Sequence, residues 1–306
     1  MSKKIFVALT TFAQYGQEPV ERLEKSGFDF TVNKLGRRLV KEEVIQYGQG
    51  CQGIIAGVEP YDADVIDQIP SLECISRVGV GLDNIDLRKA KEKGLIICNT
   101  PDVVIQPVAE MAVAMMFDML RRLSFHTLKM CSKQWVKKAG NMLCGKTVGI
   151  LGLGRIGRRV AEMMRKLDLE VRGYDVHPDQ DWAKKNGVSL VGLDDVLSTA
   201  DILSLHLASD KDHPFVLGSA EISKMKDGAM LINLARGQFV DEQALYDALK
   251  EEKLAGAALD VYSREPYDGP LCGLDSVILT PHVATLTKES RLQMEVEATG
   301  NLMKNL

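Results

Sequence analysis

The stretch that decides the fold is Thr147–Gly157, which reads Thr-Val-Gly-Ile-Leu-Gly-Leu-Gly-Arg-Ile-Gly. Its first five residues predict a buried strand, and the run Ile156–Leu167 predicts a helix, so a G-x-G-x-x-G pattern lies between a strand and a helix. Gly152 permits the tight turn, Gly154 lets the backbone approach a pyrophosphate, and Gly157 lets helix and strand pack closely. The helix N-terminus adds unpaired N–H groups and a positive dipole end. The stretch therefore predicts a dinucleotide-binding turn.

An acidic residue follows the next predicted strand, Glu170–Tyr174. Asp175 stands 21 residues after Gly154. A carboxylate at that place accepts hydrogen bonds from the adenosine ribose hydroxyls and repels a 2′-phosphate. Positions 176–178 contain no arginine that would bind such a phosphate. The sequence therefore predicts NAD as the cofactor and disfavours a reductase that uses NADPH.

Short apolar runs alternate with amphipathic stretches over nearly the whole chain, which is typical of α/β proteins with parallel sheets. The predicted strands are Lys4–Leu9, Gly53–Ala56, Cys74–Val78, Ile96–Cys98, Thr147–Leu151, Glu170–Tyr174, Ile202–His206, Ala229–Asn233, Gly256–Asp260 and Val277–Thr280. One long helix is predicted over Val104–Leu123, before a polar stretch from Lys133 to Asn141, and a last helix is predicted over Lys288–Leu306. A length of 306 residues corresponds to about two domains. The chain therefore predicts two α/β units.

Composition and charge exclude several classes of protein. Lys and Arg number 38 against 42 Asp and Glu, a net charge of −4, which argues against a nucleic-acid partner. The most apolar segment, Val103–Leu120, is interrupted by Gln106, Glu110 and Asp118, which indicates a buried helix and no membrane span. The first apolar run is too short for a signal peptide. Six cysteines without a C-x-x-C pair are expected to be core residues in a reducing compartment, so we expect a cytoplasmic protein.

Three chemistry-bearing stretches follow predicted strands of the second series, at the edge where open α/β sheets bind ligands. They contain Arg236, Glu265 and His282. An arginine binds a carboxylate as a bidentate pair, a histidine exchanges a proton near neutral pH, and a carboxylate beside it favours the imidazolium form. Together they suffice for the reduction of a 2-oxo acid. Taken singly, each has an equally good structural explanation: an exposed Arg, a helix-capping Glu, or a His held by local backbone.

A metal-dependent dehydrogenase is disfavoured by the spacing of possible ligands. The five histidines show no pattern such as H-x-x-x-H, and no pair of cysteines accompanies them. They are His126, His177, His206, His213 and His282. We therefore expect no metal.

Several further stretches carry a resemblance that covers essentially the whole chain. They are Ser76–Asp86, Asn99–Pro101, Val108–Glu110, Gly149–Gly157, Tyr174–Asp175, Asn233–Gly237, Ala258–Val261 with Glu265–Pro266, and Thr280–His282. In this order and spacing the chain resembles the D-isomer-specific 2-hydroxyacid dehydrogenases, and most closely their phosphoglycerate dehydrogenase-like branch.

The resemblance implies roles for individual residues. Arg236, Glu265 and His282 would be catalytic, with Arg236 on the substrate carboxylate, His282 as acid and base, and Glu265 favouring its protonated form. Asp260 would help to position them. The implied NAD-binding residues are Gly152, Gly154, Arg155, Ile156, Gly157, Asp175, His206, Leu207, Leu234, Ala235, Arg236, Asp260, His282 and Ala284. The implied substrate-binding residues are Arg77, Val80, Gly81 and Arg236.

The resemblance also implies an architecture of two Rossmann-like domains. A discontinuous, flavodoxin-like substrate domain would comprise residues 1–100 and 284–306, and an NAD-binding domain would comprise residues 101–283. The active site would lie in the cleft, and the long helix with the arm after it would build a homodimer. A long apolar helix is equally explained as core.

The substrate stays open at this point. The phosphoglycerate enzymes use extra arginines for the phosphate, one of them near the strand Gly53–Ala56, where this chain has Glu59 and no Arg. Lys137 and Lys138 lack the planar fork of arginine. D-3-phosphoglycerate is one candidate, and hydroxypyruvate, glyoxylate or another 2-oxo acid is the alternative. A non-catalytic regulator that senses NAD is a further possibility on the same fold.

Overall fold

The structure, a computed structural model, describes residues 2–208 and 215–306. His213, one of the five histidines considered for metal binding, lies outside the described residues. The chain forms two compact units. One comprises the residues up to Val104 together with Thr285–Leu306, and the other comprises Ile105–Ala284. That residues 1–100 and 284–306 form the substrate domain, and residues 101–283 the NAD-binding domain, stays a prediction.

In the described part of the first unit, five parallel strands form one sheet in the order β2-β1-β3-β4-β5. Its interior strands are short apolar runs because helices cover both faces, as parallel sheets require. The strands are β1 Lys4–Val7, β2 Asp29–Val32, β3 Gly53–Ala56, β4 Cys74–Arg77 and β5 Ile96–Cys98. The helices are α1 Glu18–Ser26, α2 Lys41–Gly48, α3 Ala63–Gln68, α4 Leu87–Glu92 and the C-terminal α12 Lys288–Asn305.

Among the described residues of the second unit, seven parallel strands form a sheet in the order β12-β11-β10-β9-β6-β7-β8. The strands are β6 Thr147–Leu151, β7 Glu170–Tyr174, β8 Ser189–Leu190, β9 Ile202–Leu205, β10 Ala229–Asn233, β11 Leu254–Leu259 and β12 Val277–Leu279. The helices are α5 Ile105–Arg121, α6 Leu123–Cys131, α7 Arg155–Lys166, α8 Gln180–Asn186, α9 Leu193–Thr199, α10 Ser219–Lys224 and α11 Glu242–Lys250. The predicted fold class of two parallel-sheet α/β units is confirmed.

The strand order places a ligand-binding edge at β6. Its neighbours are β7 on one side and β9 on the other, so the connections leave it in opposite directions. In open α/β sheets the crevice at such a switch point, outside the carboxyl ends of the strands, binds ligands. Helix α7 packs against this region through its fully buried Val160, Ala161 and Met164. The glycine turn is therefore held at the edge where a dinucleotide is expected.

The long helix predicted over Val104–Leu123 is wrong at its C-terminal end. Helix α5 ends at Arg121, Arg122 takes a left-handed φ of 55°, and α6 extends beyond Leu123 over residues that the sequence did not predict as helical. The Asp118 side chain accepts hydrogen bonds from the backbone N–H (2.8 Å) and the hydroxyl of Ser124. These bonds satisfy groups at the start of α6, which stabilises a new helix rather than a continuation of α5.

Two further expectations need correction. Strand β2 was not predicted, because its four residues alternate between exposed and half-buried positions and present no apolar run. The expectation that the cysteines are core residues is wrong for Cys131, Cys144 and Cys272, which are exposed. In the described ranges, no helix has the length and apolar character needed to cross a bilayer. The expected cytoplasmic location and the expected lack of a nucleic-acid partner stay predictions.

Candidate active site

The glycine turn leaves no room for side chains at two positions and open space at the third. Gly152 has φ of 91°, and a Cβ there would lie 2.5 Å from the carbonyl oxygen of His206. A Cβ on Gly157 would lie 1.9 Å from the carbonyl oxygen of Gly152. A Cβ on Gly154 would meet no atom within 4 Å, although Gly154 immediately precedes α7. This bare backbone at a helix N-terminus is the cradle that a pyrophosphate fits.

Asp175 is fastened to that turn. Its Oδ2 accepts a hydrogen bond from the backbone N–H of Leu153 at 2.6 Å, and its Oδ1 accepts one from His177 N at 2.8 Å. The carboxylate is half-buried beside the glycines, at the carboxyl end of β7. A carboxylate held there is suited to accept ribose hydroxyls and to repel a 2′-phosphate. The residues present therefore fit NAD.

His206 also lies against the glycine turn, and desolvation of its partly buried ring decides its charge. Its backbone N–H donates to Leu151 O at 2.8 Å, and its Nε2 lies 2.9 Å from the hydroxyl oxygen of Ser204. Desolvation lowers the pKa of His206 to about 4. The ring is therefore neutral near pH 7 and carries no proton to donate as an imidazolium. Leu207, the next residue, is half-buried.

The loop after β10 carries Arg236 and is held by hydrogen bonds to the Asn233 side chain. The buried Asn233 accepts from Ala235 N at 3.0 Å and donates to Arg236 O at 2.8 Å. Arg236 Nη1 donates to Ala235 O at 2.7 Å, and its side chain is half-buried. A Cβ on Gly237 would lie 1.8 Å from the carbonyl carbon of Tyr262. Only glycine lets the Arg236 loop pack this closely on the loop after β11.

Asp260 organises the loop that carries His282. It is fully buried at the end of β11. Its Oδ1 accepts from the Thr280 hydroxyl at 2.6 Å and from Val283 N at 2.8 Å, and its Oδ2 accepts from Ala284 N at 2.8 Å. His282 adopts φ of 55°, a left-handed conformation that is uncommon for residues other than glycine. The three bonds on either side of His282 hold it in that conformation.

His282 and Glu265 are in direct contact. His282 Nδ1 lies 3.0 Å from Oε2 and 3.2 Å from Oε1 of Glu265, which also accepts from Tyr262 N at 3.2 Å. The two side chains are 50% and 40% exposed, so both reach solvent-accessible space. A carboxylate on Nδ1 orients the imidazole and leaves Nε2 as the nitrogen that exchanges a proton.

The structure places the remaining predicted residues as follows. Arg155 is exposed at the first position of α7, Ile156 is partly buried, and Leu234, Ala235 and Ala284 are each 7% exposed. In the first unit, Arg77 Nη1 donates to Val78 O at 2.5 Å, and Asn99 donates to Val80 O at 2.9 Å. Val80 is 37% exposed and Gly81 is partly exposed. The contribution of Arg77, Val80 and Gly81 to substrate binding stays a prediction.

The sequence missed the residues that connect these groups. Asn233 lies in the same sequence stretch as Arg236, but the sequence does not indicate that its side chain holds the Arg236 loop. The Tyr262 hydroxyl, 3.1 Å from Leu259 O and 2.9 Å from Thr280 O, ties the strand ends together. No local signal marks such a long-range contact. Within residues 2–208 and 215–306, no group of three His, Cys, Asp or Glu side chains is placed to hold a metal ion.

Comparison with known proteins gives consistent matches. Residues 113–284 match the family model described as D-isomer specific 2-hydroxyacid dehydrogenase, NAD binding domain. The chain is 37% identical over 298 residues to D-3-phosphoglycerate dehydrogenase of Archaeoglobus fulgidus, covering 95% of this chain and 56% of that protein. It is 35% identical over 260 residues to hydroxypyruvate reductase of Thermotoga maritima, covering 83% and 84%. The chain thus spans about half the length of the phosphoglycerate dehydrogenase relatives it matches.

Solved structures resemble the chain over nearly its full length. A glyoxylate reductase from Paecilomyes thermophila superposes with a TM-score of 0.87 at 29% identity, covering 98% of this chain and 94% of that one. An NADPH-dependent glyoxylate/hydroxypyruvate reductase from Sinorhizobium meliloti superposes with a TM-score of 0.85 at 27% identity, covering 99% and 93%.

Proposed function

The chain belongs to the D-isomer-specific 2-hydroxyacid dehydrogenase family, and from that premise we propose that it interconverts a 2-oxo acid and a D-2-hydroxy acid with NAD. The observation that carries the proposal is the 3.0 Å contact between His282 and Glu265, on a loop fastened to the buried Asp260. An imidazole paired with a carboxylate is the acid–base group that such a reaction needs. The resemblance read from the sequence is confirmed at the level of the family.

Each of the three side chains has its own role in the proposed mechanism. Bound NADH supplies the hydride that the carbonyl carbon accepts. Arg236 binds the substrate carboxylate through its planar fork and stabilises the negative charge that develops on the carbonyl oxygen. His282 donates its proton from Nε2 to that oxygen, so the 2-oxo acid leaves as a hydroxy acid. Glu265 stabilises the imidazolium before the transfer, and in the oxidative direction the neutral His282 takes the proton back.

The cofactor site is formed by the glycine turn and Asp175. Gly154 would receive the pyrophosphate, because its surroundings are open, and Asp175 would accept the ribose hydroxyls. The proposed site also includes the other NAD-binding residues expected from the sequence, among them His206 beside Gly152. The neutral state of His206 supports a packing role there and leaves the proton transfer to His282.

For the substrate, D-3-phosphoglycerate is one candidate, and hydroxypyruvate or glyoxylate is the other. One observation favours the second. Glu59, which follows β3, is 3% exposed and accepts from Gly57 N at 2.8 Å. A buried acid at this position offers no cation to a substrate phosphate.

The test is a substrate panel. The purified chain is assayed for NADH oxidation with glyoxylate, hydroxypyruvate, phosphohydroxypyruvate and pyruvate, and the product is resolved on a chiral column. We expect turnover of at least one of these acids to the D-hydroxy acid, and loss of turnover in His282→Gln with NADH binding retained. NADH binding without turnover of any member of the panel contradicts the dehydrogenase proposal and supports an NAD-sensing regulator.

We also propose that a second copy of the chain covers α6 and the segment after it. Large apolar side chains in this region are more than half exposed, and such an accumulation of exposed apolar side chains is typical of an interface. They are Leu123, Leu128, Met130, Trp135 and Met142. Light scattering after size exclusion should give twice the chain mass of 33.7 kDa. Trp135→Glu should shift the protein towards the monomer, and a wild-type monomer at micromolar concentration contradicts the proposal.

A further inference from the structure

An ion pair between Arg158 and Asp179 lies next to the glycine turn, and the proposed mechanism does not use it. Arg158, in the first turn of α7, donates from Nε to the carbonyl oxygen of Leu153 at 2.8 Å. The backbone N–H of the same Leu153 donates to Asp175 at 2.6 Å. One residue of the turn is thus held through its N–H by Asp175 and through its carbonyl by Arg158. The guanidinium and the carboxylate that is proposed to accept the ribose hydroxyls are thus bound to the same residue.

The guanidinium is also engaged on its outer side. Its Nη1 lies 3.1 Å from Oδ2 of Asp179, and its central carbon lies 4.9 Å from the centre of the Trp182 ring. Asp179 additionally accepts from Trp182 N at 3.0 Å and so caps the start of α8. The hydrogen bond from Trp182 N, together with the charge of Arg158, holds the pKa of Asp179 below its usual value. Asp179 is therefore ionised at neutral pH and neutralises the arginine.

We propose that the Arg158–Asp179 pair is a second determinant of cofactor choice. Asp179 neutralises Arg158, the cation that a 2′-phosphate on the adenosine ribose would need as its partner. An arginine fork is the group that binds a phosphate best. In this chain the arginine stands beside the expected ribose position, but Asp179 compensates its charge and Trp182 fixes its plane. Asp175 disfavours NADPH by direct repulsion, whereas Asp179 acts through Arg158. The inference rests on the proposed use of NAD.

The pair makes a distinctive prediction for charge-removing variants. Asp175→Asn removes the direct repulsion while its amide oxygen still accepts from Leu153 N, yet Arg158 stays paired. Asp179→Asn removes the negative charge that pairs with Arg158, and the amide oxygen of the new side chain still caps α8. Only the double variant presents an uncompensated Arg158 to the 2′-phosphate. The gain in NADPH affinity should therefore appear when the second substitution is added.

The experiment measures dissociation constants for NADPH and NADH by titration calorimetry, without any substrate. Compared with Asp175→Asn alone, the double variant Asp175→Asn/Asp179→Asn should bind NADPH about tenfold more tightly, as one charge-assisted contact predicts. Adding Arg158→Gln should abolish the gain. The matched control is Asp175→Asn/Asp181→Asn, because Asp181 lies two residues along the chain and makes no ion pair with Arg158 in the described part of the structure. This control should show no gain.

Two results overturn the proposal: equal NADPH affinity in the single and double variants, or a gain that survives Arg158→Gln. Circular dichroism checks that each variant is folded, and Asp179→Ser, which also caps helices, replaces Asp179→Asn if α8 is disturbed. Failure of the proposed use of NAD is distinguishable, since the wild-type protein would then not bind NADH, and the calorimetry does not depend on turnover. If the wild type binds NADH and the double variant gains nothing, only the role of the pair is refuted.

Discussion

Glu265 holds His282 by its Nδ1 atom at 3.0 Å, while the backbone on the far side of His282 is bound to Asp260 through Val283 N and Ala284 N at 2.8 Å each. One carboxylate thus sets the orientation of the ring, and the other sets the conformation of the loop. Because Asp260 is fully buried and Glu265 is 40% exposed, the two acids contribute differently to stability and to catalysis.

Asp260→Ala should destabilise the second unit and displace His282. It leaves the Thr280 hydroxyl and two backbone N–H groups without their acceptor, so the free energy of unfolding should fall by about 3 kcal/mol. Denaturant unfolding measures this loss. Asp227→Asn, at a side chain that is 91% exposed, is the control and should change stability by less than about 0.5 kcal/mol. Equal stability of Asp260→Ala and the wild type would mean that the loop does not depend on Asp260.

Arg236→Lys should raise KM for the 2-oxo acid and lower kcat together. Lysine keeps the charge but loses the planar fork that binds the carboxylate. Steady-state kinetics with the best acid of the panel measures both constants, and NADH affinity should stay close to wild type. Arg172→Lys, at an arginine of β7 paired with Glu170, serves as the control. If Arg236→Lys keeps its kcat/KM, Arg236 does not bind the substrate.

The wild-type protein should prefer NADH to NADPH by at least about tenfold in kcat/KM, because Asp175 repels the 2′-phosphate. Parallel assays with the two cofactors at the same ionic strength measure the ratio. A ratio near one would show that the carboxylate beside Leu153 does not face the ribose.

His206 should make stability depend on pH. Burial lowers its pKa to about 4, whereas an unfolded chain binds this proton near pH 6.5. Between these values the unfolded state holds more protons, so stability is full above pH 6.5 and falls as the pH drops towards 4. At pH 5 this proton uptake lowers the free energy of unfolding by roughly 2 kcal/mol. Unfolding free energies of the wild type and His206→Gln at pH 7 and pH 5 test this. The variant should lose less on acidification, and an equal loss in both would show that His206 is not buried as a neutral ring.

The glycine turn and the stretches proposed to be catalytic could be identified in the sequence because each is local. Gly152, Gly154 and Gly157 fall within six residues, between an apolar run and an amphipathic run, and Asp175 ends the next strand. Such patterns place residues at strand ends on the same edge of a sheet, and the contact between Glu265 and His282 agrees with that expectation.

Features that depend on contacts distant in sequence could not be predicted. Strand β2 has no apolar run, and within the described residues it pairs only with β1. The break at Arg122 depends on a side chain four residues earlier, Asp118, and not on a proline or glycine. Arg158 and Asp179 are 21 positions apart, so their ion pair leaves no mark in any local pattern. Propensity and periodicity contain no signal for these pairings.

The measurement that tests the central claim most directly is kcat/KM against pH for the wild type, Glu265→Gln and His282→Gln. Reduction needs His282 protonated, so its rate should fall as pH rises, whereas oxidation needs the neutral ring and should rise. Glu265→Gln removes the charged group that orients the ring at Nδ1, so kcat/KM should fall at least about tenfold in both directions. His282→Gln should lose most of kcat while still binding NADH. An unchanged kcat/KM in Glu265→Gln, or an active His282→Gln, would show that another group carries the proton.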